Sequence, residues 1–173
     1  MNIITRPDAN EYAPYHTQYI RQIHEDDVWP VLQGQAEELT TVFAGMADAK
    51  GNYAYAPEKW TIKEVLGHVS DCERIFGYRM LRIARGDRTP IEGFEQDDYV
   101  KTSNANARTI GSLLEDIDLA RRANIAMLAG LEDSALTRIG TASSKNVSVR
   151  ALAYIAAGHV RHHLAILKER YLA

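Results

Sequence analysis

Two histidines near the C-terminal end of the chain, His159 and His163, stand four residues apart. On an α-helix this spacing places both side chains on one face, with their Cβ atoms about 5–6 Å apart. Two imidazoles at that separation can bind one metal ion, and helical His-x-x-x-His is a recurrent ligand pair for zinc and related ions. The spacing predicts a metal-ligand pair. The alternative is two core histidines held by hydrogen bonds.

The helix around this pair indicates which histidines face the core. At about 100° per residue, His159 and His163 fall inside the apolar arc of the segment, whereas His162 falls at its polar edge. Burying two imidazoles without partners costs on the order of a few kcal/mol, which a metal ion would offset. The arc is formed by Leu152, Ala153, Ala156, Val160, Leu164, Ile166 and Leu167.

A third ligand has to come from another segment, and His68 is the candidate because it borders the apolar stripe of a second predicted helix. Cys72, four residues on, shares that face, and it is interpreted as a packing residue with ligation as the alternative. His16 and His24 stand in a polar setting and are interpreted as surface residues. Three histidine ligands would leave coordination positions free, which is typical of a catalytic rather than a structural site.

The composition is that of a globular protein in a reducing compartment. The 173 residues carry a formal charge of −3, with 46% hydrophobic and 25% charged residues, so neither nucleic acid nor an anionic membrane is expected as a partner. The single cysteine excludes an intrachain disulfide. The first ten residues contain no apolar stretch typical of a secretion signal. We therefore expect a cytoplasmic protein that forms one domain over residues 1–173.

Four helical segments are predicted, and no stretch of useful length has the alternation of a strand. Thr61 and Glu64 form a capping-box pattern at the start of the second segment, and Ser148 is the predicted N-cap of the fourth. Gly67 precedes His68 and Gly158 precedes His159, which suggests positions where a large side chain or a neighbouring backbone comes close, with tight helix packing as the alternative. The segments run over about 26–46, 61–85, 109–131 and 148–171, with long connections at 87–108 and 132–147.

Several stretches together resemble the DinB-like superfamily, the damage-inducible four-helix-bundle proteins that include YfiT-type metal hydrolases and bacillithiol S-transferases. The resemblance covers nearly the whole chain. It implies an all-α, up-up-down-down four-helix bundle in which the long connection after the second helix is a crossover. The stretches that carry it are residues 60–68, from Trp60 to His68, residues 71–79, residues 82–87 and residues 157–163.

The resemblance also implies a ligand set and an assembly. The family's metal site maps onto His68, His159 and His163, the same histidines that the helical pattern favours. The ion would be Zn, Ni, Fe or Co, since three imidazoles and water suit all of these. A homodimer is expected as well.

The function implied is a metal-dependent enzyme for a small molecule, either a thiol S-transferase using a low-molecular-weight thiol, which is the preferred interpretation, or a hydrolase using metal-activated water. The alternative is a non-catalytic metal-binding bundle of the stress response. Asp71 is a candidate to orient an imidazole, with a solvated carboxylate as the alternative. Candidates for substrate binding, for which salt bridging or packing is the alternative, are Arg79, Tyr15, Trp60 and Tyr99.

Overall fold

Four long helices dominate the computed structural model, which describes residues 3–172. They are α2 (Trp29–Phe43), α3 (Ile62–Ala84), α5 (Ile110–Ala129) and α7 (Val149–Ile166). A short helix, α1 (Thr17–Ile20), precedes them, two others, α4 (Gln96–Thr102) and α6 (Asp133–Leu136), lie between them, and a π-helical turn, Leu167–Tyr171, continues α7. The four predicted segments are confirmed. Within residues 3–172, no helix combines the length and apolarity needed to span a bilayer.

Four short 3₁₀ segments lie in the connections. They are Ala9–Glu11, Pro14–His16, Asp48–Asn52 and Ala105–Ala107.

The long helices form a four-helix bundle, as predicted, in which α3 packs on α5 and α7, and α2 packs on the same two helices. The apolar residues shared at each end show that α2 and α7 run one way and α3 and α5 the other. The long crossover after α3 therefore joins two parallel neighbouring helices, α3 and α5. The observed order of directions is therefore up-down-down-up and not the expected up-up-down-down, because α2 and α3 are antiparallel.

The apolar core is divided into two clusters, one toward each end of the bundle. One contains Phe76 and Met80 of α3 with the first half of α7, and the other contains Leu66 of α3 with Leu164 of α7. Between the clusters each long helix contributes buried polar side chains, which we call the polar layer. Its members are Gln35, His68, Glu73, Arg121 and His159.

The expectation of no strand is wrong, because a two-stranded antiparallel hairpin lies between α6 and α7. Strands β1 (Ile139–Ala142) and β2 (Lys145–Ser148) pair from Ile139 with Ser148 to Ala142 with Lys145. Each strand has only four residues, too few for alternation to stand out in the sequence. The hairpin is anchored to the crossover by the bond from the Ile91 backbone N–H to the Thr141 carbonyl, at 2.9 Å.

Candidate metal centre

Three imidazoles from two helices converge in the middle of the bundle, two of them in the polar layer and the third directly beside it. The Nε2 atom of His159 on α7 lies 3.0 Å from Nε2 of His68 on α3 and 3.1 Å from Nε2 of His163, one turn further along α7. The ring centroids of His68 and His163 are 4.8 Å apart. His68 and His159 are buried, and His163 is half-buried. The structure thus brings together all three predicted histidines.

Helix caps set the positions of these side chains along the two helices. The Thr61 hydroxyl accepts a hydrogen bond from the Glu64 backbone N–H, and the Glu64 carboxylate accepts one from the Thr61 N–H, so the predicted capping box is confirmed. The Ser148 hydroxyl accepts from the Ala151 N–H at 3.0 Å and caps α7, as predicted. These caps place His68 in the second turn of α3 and His159 in the third turn of α7.

Gly158 allows another segment to approach the histidine that follows it. A Cβ at this position would overlap the carbonyl oxygen of Tyr19, a backbone atom of α1. The close approach brings the Tyr19 ring edge-on to His159, with ring centroids 5.4 Å apart. Gly67 is less crowded, since a Cβ there would meet the Ala105 Cβ at 3.2 Å. The expected close approach is therefore confirmed at Gly158, where the neighbour is backbone, whereas Gly67 faces only the small side chain of Ala105.

Burial keeps the three imidazoles neutral near pH 7. Loss of solvent lowers the pKa of His68 to about 4. Burial, followed by the nearby His68 and His162, lowers the pKa of His163 to about 3. The pKa of His159 is held well below its ordinary 6.5, by burial first and then by His163 and His68. Neutral imidazole is the form that binds metal ions.

Hydrogen bonds alone cannot pair the Nε2 atoms of all three histidines. A ring nitrogen has one in-plane position, which holds either a proton or a lone pair. His159 Nε2 can therefore pair with His68 Nε2 or with His163 Nε2, but not with both in good geometry. One ion can accept all three lone pairs, and two Nε2 atoms 3.0 Å apart fit zinc–nitrogen bonds of about 2.0–2.1 Å at an angle of about 90°. The donor set fits a divalent metal.

Cys72 is a further group at this position. One ligand atom from each of His68, Cys72 and His159 lies within 4.8 Å of the others, and all three residues are buried. The Cys72 Sγ atom lies 3.7 Å from His68 Nε2. Burial raises the pKa of the thiol to about 12, so it is protonated when no ion is nearby. The geometry is compatible both with packing against His68 and with ligation.

A cavity of about 410 Å³ opens onto His68 and His159. It is lined by the 3₁₀ turn Pro14–His16, α1, α3, residues 93–96 of the crossover and the turn of the hairpin. His163 is not among the lining residues. The volume falls in the range of small-molecule sites. The lining side chains are Tyr15, His16, Tyr19, His68, Cys72, Phe76, Arg79, Phe94, Glu95, Gln96, Ser143 and His159.

The predicted substrate-binding residues occupy three different positions. Tyr15 and Arg79 line the cavity. Trp60 packs on His68, with ring centroids 4.8 Å apart, and its carbonyl accepts a hydrogen bond from the Tyr171 hydroxyl at 2.7 Å. Tyr99 lines an adjacent groove of about 330 Å³ and contacts Phe94, which lies between the groove and the cavity.

Asp71 does not reach the histidines. It lines a small cavity of about 80 Å³ together with Arg108 and Asp116. No hydrogen bond among the described residues joins it to an imidazole. Burial raises its pKa, with Arg74 as an opposing influence. Asp71 is half-buried, and it borders this small cavity and not the imidazoles.

The interpretation of His16 as a surface residue is wrong, whereas His24 is exposed as expected. His16 is 9% exposed, lines the cavity, and its Nδ1 atom is buried without a hydrogen-bond partner. The spacing of His16, Ile20 and Ile23 at four and three residues was the signal that these side chains share a buried face. Ser143, another lining residue, carried no comparable signal.

A family model assigns residues 31–167, most of the chain and all three histidines, to the DinB superfamily. The chain belongs to the DinB superfamily. Among solved structures, this DinB-superfamily chain is similar to YfiT from Bacillus subtilis, with a TM-score of 0.74 and 16% identity over 94% of this chain and 89% of that one. YfiT is described as a probable metal-dependent hydrolase with an unusual four-helix bundle topology. At this identity the likeness shows the fold alone. No match was found among curated proteins.

Proposed function

We propose that this DinB-superfamily protein is a metal-dependent hydrolase of a small molecule, with one divalent ion held by His68, His159 and His163. The observation that carries the proposal is the position of His159 Nε2, 3.0 Å from His68 Nε2 and 3.1 Å from His163 Nε2. The description of YfiT as a metal-dependent hydrolase supports the same reaction class.

The cavity favours an enzyme over a non-catalytic metal-binding protein. A structural site is closed by four protein ligands, whereas a catalytic site keeps a position open to solvent or substrate. Here His68 and His159 line a cavity of about 410 Å³ that reaches the surface beside the exposed Tyr15. A divalent ion held by these histidines would supply Lewis-acid chemistry that makes water a stronger nucleophile near neutral pH.

The chain's own residues hold and shield this site. The ring of Trp60 covers His68, and the rings of Tyr19 and Phe76 lie edge-on to His159 at centroid distances of 5.4 and 5.7 Å. These contacts fix the imidazole planes, and because Tyr19 and Phe76 also line the cavity, they make its wall beside His159 largely apolar. Ligands held in this way need little reorganisation when they bind a metal.

The first test is the metal content of the untagged protein, measured by elemental analysis before and after incubation with Zn²⁺ or Ni²⁺. We expect about one ion per chain in the native protein and none in a His159→Ala, His163→Ala double variant. His162→Ala is the matched control, because His162 lies on the same helix turn and, among the described residues, makes no hydrogen bond to His68, His159 or His163. Native protein that binds neither ion after reloading contradicts the proposal.

The second test is activity. The metal-loaded protein should hydrolyse members of a panel of small esters, amides and lactams, and the double variant should not. A reaction that requires an added low-molecular-weight thiol, and that is also lost in the double variant, would assign thiol transfer to the same site in place of hydrolysis. Metal without either activity would favour the non-catalytic protein.

A further inference from the structure

We propose that the end of the cavity away from the histidines is an anion-binding subsite centred on Arg79, which takes a carboxylate or phosphate group of the substrate. That the anion belongs to a substrate rests on the proposed function. The anion site itself follows from the surroundings of Arg79.

Arg79 is a buried cation without an acidic partner. Arg79 is only 5% exposed and lines the cavity. The ion pairs of the described chain involve Arg74, Arg82, Arg108 and other cations, but none includes Arg79. Buried charges in folded proteins are normally paired, because an uncompensated charge in a medium of low dielectric is costly. We therefore expect an anion from outside the chain to compensate the charge of Arg79.

The guanidinium also has unused hydrogen-bond donors. Its Nη2 donates to the Glu92 carbonyl at 3.2 Å and to the Ser143 hydroxyl at 2.9 Å, which fixes the plane of the group. Nε is buried and has no partner, and no hydrogen bond of the described residues uses Nη1. An arginine offers one N–H on Nε and two on each terminal nitrogen, so Arg79 keeps donors available for oxygen ligands.

Two further features concentrate polar groups beside Arg79. The Nδ1 atom of His16, on the same cavity wall, is also buried without a hydrogen-bond partner. The hairpin turn holds both Ser143 and Ser144 at positive φ, 50° and 61°, in a conformation that favours glycine or asparagine. The bond from the Ser143 N–H to the Ile91 carbonyl, at 2.9 Å, keeps this turn over Arg79.

The other charged side chain that lines the cavity is Glu95, and it does not neutralise Arg79. Glu95 is exposed, and no ion pair or hydrogen bond joins it to Arg79 within the described chain. Solvent screens an exposed carboxylate, so the buried guanidinium remains the dominant charge at this end of the cavity.

The position of Arg79 indicates the shape of the substrate. Arg79 and His68 are eleven residues apart on α3, so they lie on nearly the same helix face, with a rise of about 16 Å between their Cα atoms. Long helical side chains lean toward the helix N-terminus, which directs Arg79 toward the histidines and shortens this gap. The substrate class is a small molecule with an anionic group at one end and a hydrolysable bond several atoms away.

Butyrate and inorganic phosphate are suitable probes, with neutral butyramide as the uncharged analogue. Binding would be measured by calorimetry at constant ionic strength and by the NMR signal of the Arg79 Nε–H in the native protein. We expect one or both anions to bind and to shift that signal, whereas butyramide does not. Affinity should fall at least tenfold in Arg79→Gln and stay within twofold in Arg85→Gln, an exposed arginine near the end of the same helix.

Equal anion affinity in the two variants, or an Nε–H signal that neither anion moves, would overturn the subsite. The NMR measurement needs no variant, so it remains decisive if Arg79→Gln does not fold. Repeating the titration with the His159→Ala, His163→Ala protein separates the two proposals. Anion binding that persists there supports the subsite even if no metal is found, and anion binding lost with the metal assigns the anion to the ion instead.

Discussion

The Nε2 atoms of His68 and His159 lie 3.0 Å apart although 91 residues separate them in the chain. The pair joins α3 to α7 across the middle of the bundle. Cys72 lies on the His68 side of this contact, with its Sγ atom 3.7 Å from His68 Nε2. Two ligand sets are therefore available around one ion, three histidines or two histidines with Cys72, and a single substitution separates them.

Cys72→Ala should retain about one metal ion per chain, because three imidazoles suffice for a catalytic site. The measurement is elemental analysis together with the absorption spectrum of the cobalt-loaded protein. If Cys72 ligates the ion, the native cobalt protein will show a thiolate charge-transfer band that Cys72→Ala lacks, and the metal content of the variant will fall. His68→Ala serves as the comparison that loses the ion under either ligand set.

Arg121→Met should destabilise the protein by about 3–5 kcal/mol, because it leaves the buried Glu73 carboxylate without its cation. Arg121 pairs with Glu73 and donates to the Gln35 amide oxygen at 2.8 Å. The measurement is the free energy of unfolding in urea. Arg122→Met, which removes an exposed arginine paired with Asp118, should change it by less than about 1 kcal/mol. Equal effects of the two substitutions would contradict the importance of the buried pair.

Gly158→Ala should lower stability and weaken metal binding together. The added methyl group would overlap the Tyr19 carbonyl, and α1 would have to move away from α7 beside His159. We expect a loss of about 1–3 kcal/mol, typical of overpacking, and a lower affinity for Zn²⁺. In Gly34→Ala nothing lies within 4 Å of the new methyl group on α2, so the better helix propensity of alanine should raise stability by up to about 1 kcal/mol. Thermal unfolding with and without Zn²⁺ tests both variants.

Glu11→Gln should change how stability depends on pH. Burial tends to raise the pKa of Glu11, but hydrogen bonds from Arg150, Ser148 and the Asp8 backbone outweigh it and lower that pKa from 4.5 to about 2. Because the folded state has the lower pKa, the contribution is fully present above pH 4.5 and is lost as pH falls toward 2. With solvent screening allowed for, it amounts to about 1–2 kcal/mol.

The native protein should therefore exceed Glu11→Gln in unfolding free energy at pH 7, and the difference should shrink to near zero by about pH 2. Urea unfolding at a series of pH values provides the measurement. Glu37→Gln, at an exposed carboxylate of α2 that has no ion pair within residues 3–172, should show no such difference. If the difference in unfolding free energy between native protein and Glu11→Gln stays constant with pH, the charge of the carboxylate is not what stabilises the contact of Glu11 with Arg150.

The sequence predicted the helices and the three histidines because both depend on local spacing. Thr61 and Glu64 are three residues apart, and His159 and His163 are four apart, so helix geometry alone relates each pair. The cavity could not be predicted in the same way, because its wall joins distant segments. His16, Arg79 and Ser143 meet only after α1 packs on α7 and the hairpin folds over the crossover.

The polar layer fixes how the four helices are aligned along the bundle axis. In a core that is apolar throughout, a helix can slide by one turn, about 5.4 Å, and still bury its leucines against other leucines. Here such a slide would move Arg121 away from Glu73 and Gln35, and His68 away from His159, into one of the apolar clusters. The unpaired groups would make every shifted alignment unfavourable. The chain can therefore select a single axial register without an ion, and the same packing holds the three histidines of the proposed metal site in place.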